Sequence, residues 1–274
     1  MPTVVLVTGC SAGGIGHSLC EEFAERGCKV YASARNVDKI ADFGLLSVEK
    51  LKLDVTSDED VKKAVDHILE AEGKIDIVVN NAGAMCPGPL IDVPVDHVKE
   101  IFDTNTISAL RVAKAVIPAM AKRRSGVIVN IGSIVGETPT PWNGVYSASK
   151  AALHSLTEVL SMECKPFDIS VLLVAPGATK SHISANAAAR FEMPEDSLYT
   201  RFLPNILQRI NASQKGSPMP TREFARRVVG ESLKRRPGRY MTLGGSSDLF
   251  RIFKWLPRSW PLWFLWRTYS KKLS

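Results

Sequence analysis

Short runs of apolar residues alternate along this chain with longer stretches in which apolar positions recur every three or four residues. The runs are TVVLVT from Thr3, KVYASA from Lys29, VEKLKLDV from Val48, IDIVVNNAG from Ile75, GVIVNIGS from Gly126 and ISVLLVAPG from Ile169. They are nearly continuous in Val, Ile and Leu, which suits strands of a parallel sheet covered on both faces. Helical spacing marks the stretches near 15–26, 57–71, 96–123 and 145–165, and Ser57 followed by Asp60 reads as a helix start. From about Lys180 to Pro220 the rhythm breaks into scattered Ala, Pro and polar residues, the pattern of a partly helical lid. A last helix near 221–236 and a short strand RYMTLGG from Arg239 complete one domain over 1–245, with a tail over 246–274. Strand and helix alternating on this scale predict an α/β fold, a single-domain doubly wound parallel sheet of the Rossmann type.

With 274 residues, 45% of them hydrophobic, the chain can bury a large core. Its five cysteines form no C-x-x-C and no paired spacing, which fits a reducing compartment. TVVLVTG already reads as a buried strand, so no signal peptide is expected before the fold, and the domain is expected to face the cytosol. The five histidines show no metal-ligand spacing, and no metal is expected. The net charge of +7 is uneven: residues 1–204 carry −5 and residues 205–274 carry +12. The basic character points to an anionic surface at the C-terminal part rather than to a nucleic-acid-binding domain.

The stretch TGCSAGGIG, from Thr8 to Gly16, fits two templates. Gly9-Cys10-Ser11-Ala12-Gly13 matches the G-x-S-x-G elbow that exposes a nucleophilic serine in α/β-hydrolases. The whole stretch also reads as the turn that lays a pyrophosphate on a helix N-terminus, with Gly9, Ser11, Gly14, Ile15 and Gly16 as contacts. A serine hydrolase would need a histidine and an acid meeting Ser11, and His154 and His182 lie downstream with acids before them. About 20 residues past the glycines, where a ribose-binding carboxylate belongs, Ala34 and Arg35 stand instead. A guanidinium there grips a 2′-phosphate, which favours NADP(H) over NAD(H).

Farther along, Ser133 ends a buried strand, and Tyr146 and Lys150 are four residues apart, on one face of a helix. An ammonium beside a phenol favours the phenolate, so Lys150 is expected to lower the Tyr146 pKa. The Ser133 hydroxyl is placed to hold a carbonyl oxygen beside Tyr146.

Together these motifs resemble the short-chain dehydrogenase/reductase family, over about residues 3–243. The resemblance is carried by Gly9, Gly14 and Gly16, Asp54-Val55, Asn80-Asn81-Ala82-Gly83, Asn105, Ser133, Tyr146, Lys150 and Pro176-Gly177. It implies that Asp54 and Val55 contact the adenine and that Asn80 to Gly83 stabilise the sheet beside the cofactor. It further implies that Asn105 positions Lys150 through a water, and that Lys150 holds the nicotinamide ribose. The nicotinamide hydride then attacks a carbonyl carbon while the tyrosine protonates its oxygen. Two departures stand out. One extra residue lies between Gly9 and Gly16, so either Gly13 or Gly14 takes the middle glycine's part. After Pro176-Gly177 the usual threonine is replaced by Ser181, with Thr179 two residues earlier.

The tail reads LFRIFKWLPRSWPLWFLWRTYSKKLS from Leu249. Trp255, Trp260, Trp263 and Trp266 interleave with Arg251, Lys254, Arg258, Arg267, Lys271 and Lys272. Internal charges and prolines exclude a span of about 20 apolar residues. Rings and cations together suit the membrane–water interface, and the alternatives are a dimer arm or a cap on the same domain. The expected location is the cytosolic face of the endoplasmic reticulum or a lipid droplet. Within the family, VYASAR, NNAG and the block from Ser133 to Leu153 resemble fungal 1-acyldihydroxyacetone-phosphate reductases. The implied partner is a lipid-like ketone, with Lys180, Arg190 and Arg201 as candidates for its phosphate; a steroid or retinoid carbonyl is the alternative. The family resemblance also implies a homo-oligomer.

Overall fold

In the computed structural model, which describes residues 1–44 and 47–271, seven strands form one sheet in the order β3-β2-β1-β4-β5-β6-β7. The strands are β1 Val4–Thr8, β2 Lys29–Ala34, β3 Val48–Lys52, β4 Ile77–Asn80, β5 Gly126–Ile131, β6 Ile169–Pro176 and β7 Tyr240–Leu243. Every adjacent pair is parallel. The order reverses direction between β1 and β4, so the carboxyl ends of these two strands flank a crevice, the place where such sheets bind ligands.

The helices are α1 Ile15–Glu25, α2 Asp58–Glu72, α3 Val95–Phe102, α4 Ser108–Lys122, α5 Gly144–Glu163, α6 Ile183–Ala188, α7 Leu203–Ile210, α8 Thr221–Ser232, α9 Ser247–Phe253 and α10 Ser259–Ser270. The pleat sends alternate strand residues to opposite faces. Val5 and Val7 join Leu19, Phe23, Phe224 and Val228 from α1 and α8, whereas Val4 and Leu6 join Val61, Ile68, Val112 and Met120 from α2 and α4. Double coverage explains the apolar runs, because neither face of the central strands meets water. The expected start of α2 is in place: the Ser57 side chain accepts from the Asp60 N–H, and three acids occupy the first turn.

The helical pattern near 96–123 is not one regular helix. Between α3 and α4 the segment Asp103–Ile107 is π-helical. A π turn takes up one extra residue and is frequent at functional sites; here it carries Asn105 into the interior.

The lid holds α6 and α7, short helices separated by loops. The tail forms α9 and α10, whose inner residues Phe250, Phe253 and Leu265 are buried against Ile134 and Val135, just past Ser133. No helix among the described residues is long and apolar enough to cross a membrane. Lys272 lies outside the described residues.

Candidate active site

The glycine turn is shaped by contacts that a side chain would destroy. A Cβ on Gly16 would stand 2.5 Å from the Gly9 carbonyl oxygen and 2.6 Å from the Asn81 side-chain nitrogen. Gly9 itself has φ +73° and faces the Ala82 backbone. The ambiguity over the middle glycine resolves into two roles: Gly13 adopts φ +69° against the His182 ring, and Gly14 caps the start of α1 in an extended conformation. The open α1 N-terminus, with Ile15 as its first residue, points its free N–H groups at this turn, as a pyrophosphate requires.

Asn81 ties the turn to the sheet, its side chain donating to the carbonyls of Thr8 at 2.8 Å and Gly9 at 3.0 Å. The Thr8 hydroxyl in turn accepts from the N–H groups of Asn81 and Ala82. Asn80 donates to Asn130, which donates to Thr157, a buried chain that locks β4 to β5 and α5.

Arg35 is exposed at the end of β2, and its charge reaches Asp54. Burial raises the Asp54 carboxyl, but the Thr56 hydroxyl and N–H, with Arg35 and Arg111, outweigh it, and the pKa ends below its ordinary value. Val55 is buried and its carbonyl accepts from Arg111.

Ser11 is exposed in the turn. His154 is engaged elsewhere, accepting at Nε2 from the Ser133 N–H at 3.2 Å. The His182 ring lies against Gly13, and among the described residues no carboxylate pairs with it. The acid and histidine that a nucleophilic Ser11 needs are therefore not assembled here.

Ser133 follows β5 and caps the turn Ile134–Gly136. Tyr146, Lys150 and His154 descend one face of α5 at four-residue intervals. The Lys150 Nζ lies 5.8 Å from the Tyr146 ring centroid and donates to the Ile131 carbonyl at 2.8 Å. An ammonium has three donors, so further N–H groups remain for a ligand. Asn105 Oδ1 accepts from the Ala84 N–H at 2.8 Å, and its Nδ2 donates to Ala84 O and Ser149 Oγ. Gly83 lies between Asn105 and Lys150, with both side chains close enough to limit any residue bulkier than glycine.

The expectation that Lys150 lowers the Tyr146 pKa is not met. Burial raises the phenol above its ordinary value, and the opposing pulls come from the Ser133 hydroxyl and the charge of Arg209. Burial also depresses Lys150, to about 8. The tail contributes to the burial of Tyr146, which packs with Ile134, Val135, Phe250, Phe253 and Leu265. A phenol held protonated is suited to donate rather than to accept.

Downstream of β6, Gly177 packs so closely on Gly245 that a Cβ would stand 2.1 Å from its carbonyl oxygen. Thr179 is buried and its hydroxyl donates to the Gly177 carbonyl at 3.3 Å. Ser181 is half-buried, with its N–H held by Gln214, and its hydroxyl takes no partner among the described residues. Of the two hydroxyls, Ser181 is the one left for a carboxamide.

Two residues have roles at this site that the motifs did not assign to them. His154 fills the space beside Gly132 and Gly136, glycines that a Cβ would drive into its ring. Burial, then the charges of Lys150 and Lys254, lower its pKa to about 4. The signal was present: His154 is one more turn along the face of Tyr146 and Lys150. An unfolded histidine takes up its proton near pH 6.5 and the folded one only near 4, so stability is lost as pH falls through that window. The loss is about 3 kcal/mol at full depth. His154→Gln, which keeps an acceptor for Ser133, should show a smaller drop in urea midpoint between pH 7 and pH 4.5. Equal drops in the two proteins would refute this.

The second is Arg209 on α7, 6% exposed, whose Nε donates to Thr140 Oγ1 at 2.7 Å. By contrast Lys180, Arg190 and Arg201, the expected phosphate contacts, are all exposed, and Arg201 stacks on Phe202 at 4.8 Å.

Between the lid and the tail lies an aromatic cluster. Trp142 has φ +63°, a strained conformation of the kind that persists at functional sites, and packs on Tyr199, Phe202 and Trp266. Its Nε1 donates to the Tyr269 carbonyl at 2.8 Å, and Asn205 donates to the Lys271 carbonyl. The inner side of the tail is thus a cap on the domain. Two tail cations serve that cap, Lys254 pairing with Glu137 at 2.6 Å and Arg258 donating to the Glu137 carbonyl. The outer side exposes Ile252, Trp255, Trp260 and Trp263.

A family model described as short chain dehydrogenase matches residues 3–191. A short-chain dehydrogenase of Penicillium ochrochloron is 39% identical over 236 residues, 85% of this chain and 86% of the relative. An NADPH-dependent 1-acyldihydroxyacetone phosphate reductase of Schizosaccharomyces pombe is 34% identical over 215 residues, 77% of this chain and 72% of the relative. The crystal structure of a short-chain dehydrogenase from Streptomyces avermitilis is similar with a TM-score of 0.78 at 26% identity, covering 93% of each chain.

Proposed function

This chain belongs to the short-chain dehydrogenase family and is an oxidoreductase, and from that premise we propose that it reduces a hydrophobic ketone with NADPH at the surface of a membrane. The observation that carries this reading is the convergence of Ser133, Tyr146 and Lys150 beneath an aromatic roof supplied partly by the tail. NADPH, when bound, supplies the hydride. The glycine turn and the α1 N-terminus would hold its pyrophosphate, and Arg35 its 2′-phosphate, with Asp54 and Val55 at the adenine. The NADPH-dependent Schizosaccharomyces relative supports that cofactor. Ser133 orients the substrate oxygen, the Tyr146 phenol delivers the proton to it, and the Lys150 ammonium steadies the charge left on the phenol.

The substrate we favour is 1-acyldihydroxyacetone phosphate, giving 1-acylglycerol 3-phosphate. The Schizosaccharomyces relative carries that activity in its name, and the roof of Trp142, Tyr199 and Phe202 suits an acyl chain. Exposed tail tryptophans fit an enzyme lying on the endoplasmic reticulum or a lipid droplet, where such a substrate resides. The test is NADPH oxidation by purified protein in detergent. We expect kcat/KM for acyl-dihydroxyacetone phosphate at least about tenfold above that for retinal or a 3-ketosteroid. The reverse order would replace it with a steroid or retinoid carbonyl.

A further inference from the structure

The lid buries a guanidinium beside neutral groups only. Arg209 is bonded through Nε to the Thr140 hydroxyl, and its Cζ stands 5.6 Å from the centroid of the Tyr269 ring. Among the described residues no carboxylate pairs with it and no protein acceptor takes a hydrogen bond from either Nη. Neither Nη is among the fully buried atoms left without a partner, so both face open space rather than packed protein. A desolvated cation without a counter-charge is expensive, unless something else brings the anion. Arg209 also faces the reacting centre. Thr140 lies on the segment joining Ser133 to Tyr146, Tyr269 packs on the same cluster as Tyr146, and the charge of Arg209 reaches the Tyr146 phenol. The Thr140 hydroxyl, accepting from Nε, keeps its own proton to donate.

We propose that Arg209, seconded by Thr140, recognises an anionic group, phosphate or carboxylate, carried by the ketone close to the carbonyl that Tyr146 protonates. This rests on the reading that the cleft reduces a ketone. A planar fork of donors matches either oxyanion in paired hydrogen bonds, which a lysine cannot reproduce. The aromatic cluster then takes the apolar remainder of the substrate, so the site selects an amphiphile rather than a neutral lipid. A retinoid or steroid would leave the guanidinium unmatched.

Binding tests the residue without relying on turnover. Hexyl phosphate, hexanoate and hexanol are titrated calorimetrically into the full-length protein saturated with NADP+. The better anion should bind on the order of 100-fold tighter than hexanol, and its identity distinguishes phosphate from carboxylate. Arg209→Met should bring all three to similar affinity, and Arg209→Lys should recover part of the preference. With acyl-dihydroxyacetone phosphate and the same compound lacking its phosphate, Arg209→Met should raise KM for the charged ketone only. If the charged ketone is not a substrate while the anion preference still depends on Arg209, the substrate assignment falls and the anion site stands. Equal binding of anion and hexanol by the unaltered protein, or a preference that survives Arg209→Met, overturns the proposal. So does a lowered Tm in Arg209→Met with equal loss toward charged and neutral ligands, since that assigns the residue to structure.

Discussion

Replacing Tyr146 with phenylalanine should lower kcat for ketone reduction by about a thousandfold while leaving NADPH affinity unchanged. The substitution removes one oxygen and keeps the ring, so the packing around Ile134 and Val135 persists. What disappears is the proton for the nascent alkoxide. Burial keeps that phenol above its ordinary pKa despite the Ser133 hydroxyl and the Arg209 charge, so the acid form is the resident one at neutral pH. Lys150→Met gives the contrast. Its ammonium serves two duties, so both kcat and NADPH affinity should fall. Fluorescence titration of NADPH together with steady-state rates separates the two cases. A Tyr146→Phe enzyme retaining more than about a tenth of its activity would mean that another group donates the proton.

The parts of this arrangement differ in how far they can be read from the chain. The strands are legible because a sheet covered on both faces demands apolar residues at nearly every position, and β1, β4, β5 and β6 meet that demand. Tyr146 and Lys150 are legible because one helical turn joins them. Arg209 is not, since its meaning depends on Thr140, 69 residues earlier, and on Tyr269 in the tail. The direction of the Tyr146 shift fails for the same reason: proximity to an ammonium is a local fact, whereas burial is a property of everything folded over the site. The tail is an intermediate case. Interleaved tryptophans and cations suit both a membrane surface and a cap, and only the placement of Phe250, Phe253 and Leu265 separates an inner from an outer side. The π turn at Asn105 interrupts a helical pattern whose polar and apolar spacing is otherwise regular, so nothing in the spacing announces it.

Deleting residues 246–274 should remove both sides of the tail at once, with a large fall in Tm and near-complete loss of activity. Phe250, Phe253 and Leu265 are each less than a tenth exposed, and fully burying such a side chain contributes about 1.5–3 kcal/mol. Ile134 and Val135 would be left open to water beside Ser133, and Trp142 would lose the Tyr269 carbonyl. A second variant isolates the outer side. Trp255, Trp260 and Trp263 are 89%, 65% and 59% exposed, so replacing all three with serine should leave Tm and the reduction of detergent-dispersed ketone intact. Binding to vesicles containing anionic lipid should nonetheless drop at least about tenfold, because the rings that seat at headgroup depth are gone. At 12 residues, α10 is about 18 Å long, too short for a hydrocarbon core of about 30 Å. The proposed attachment therefore has α10 lying along the interface, with its apolar side split between lipid and the roof of the active site. Undiminished vesicle binding in the triple variant would remove the membrane from this picture, and an active, thermally unaltered truncation would remove the roof.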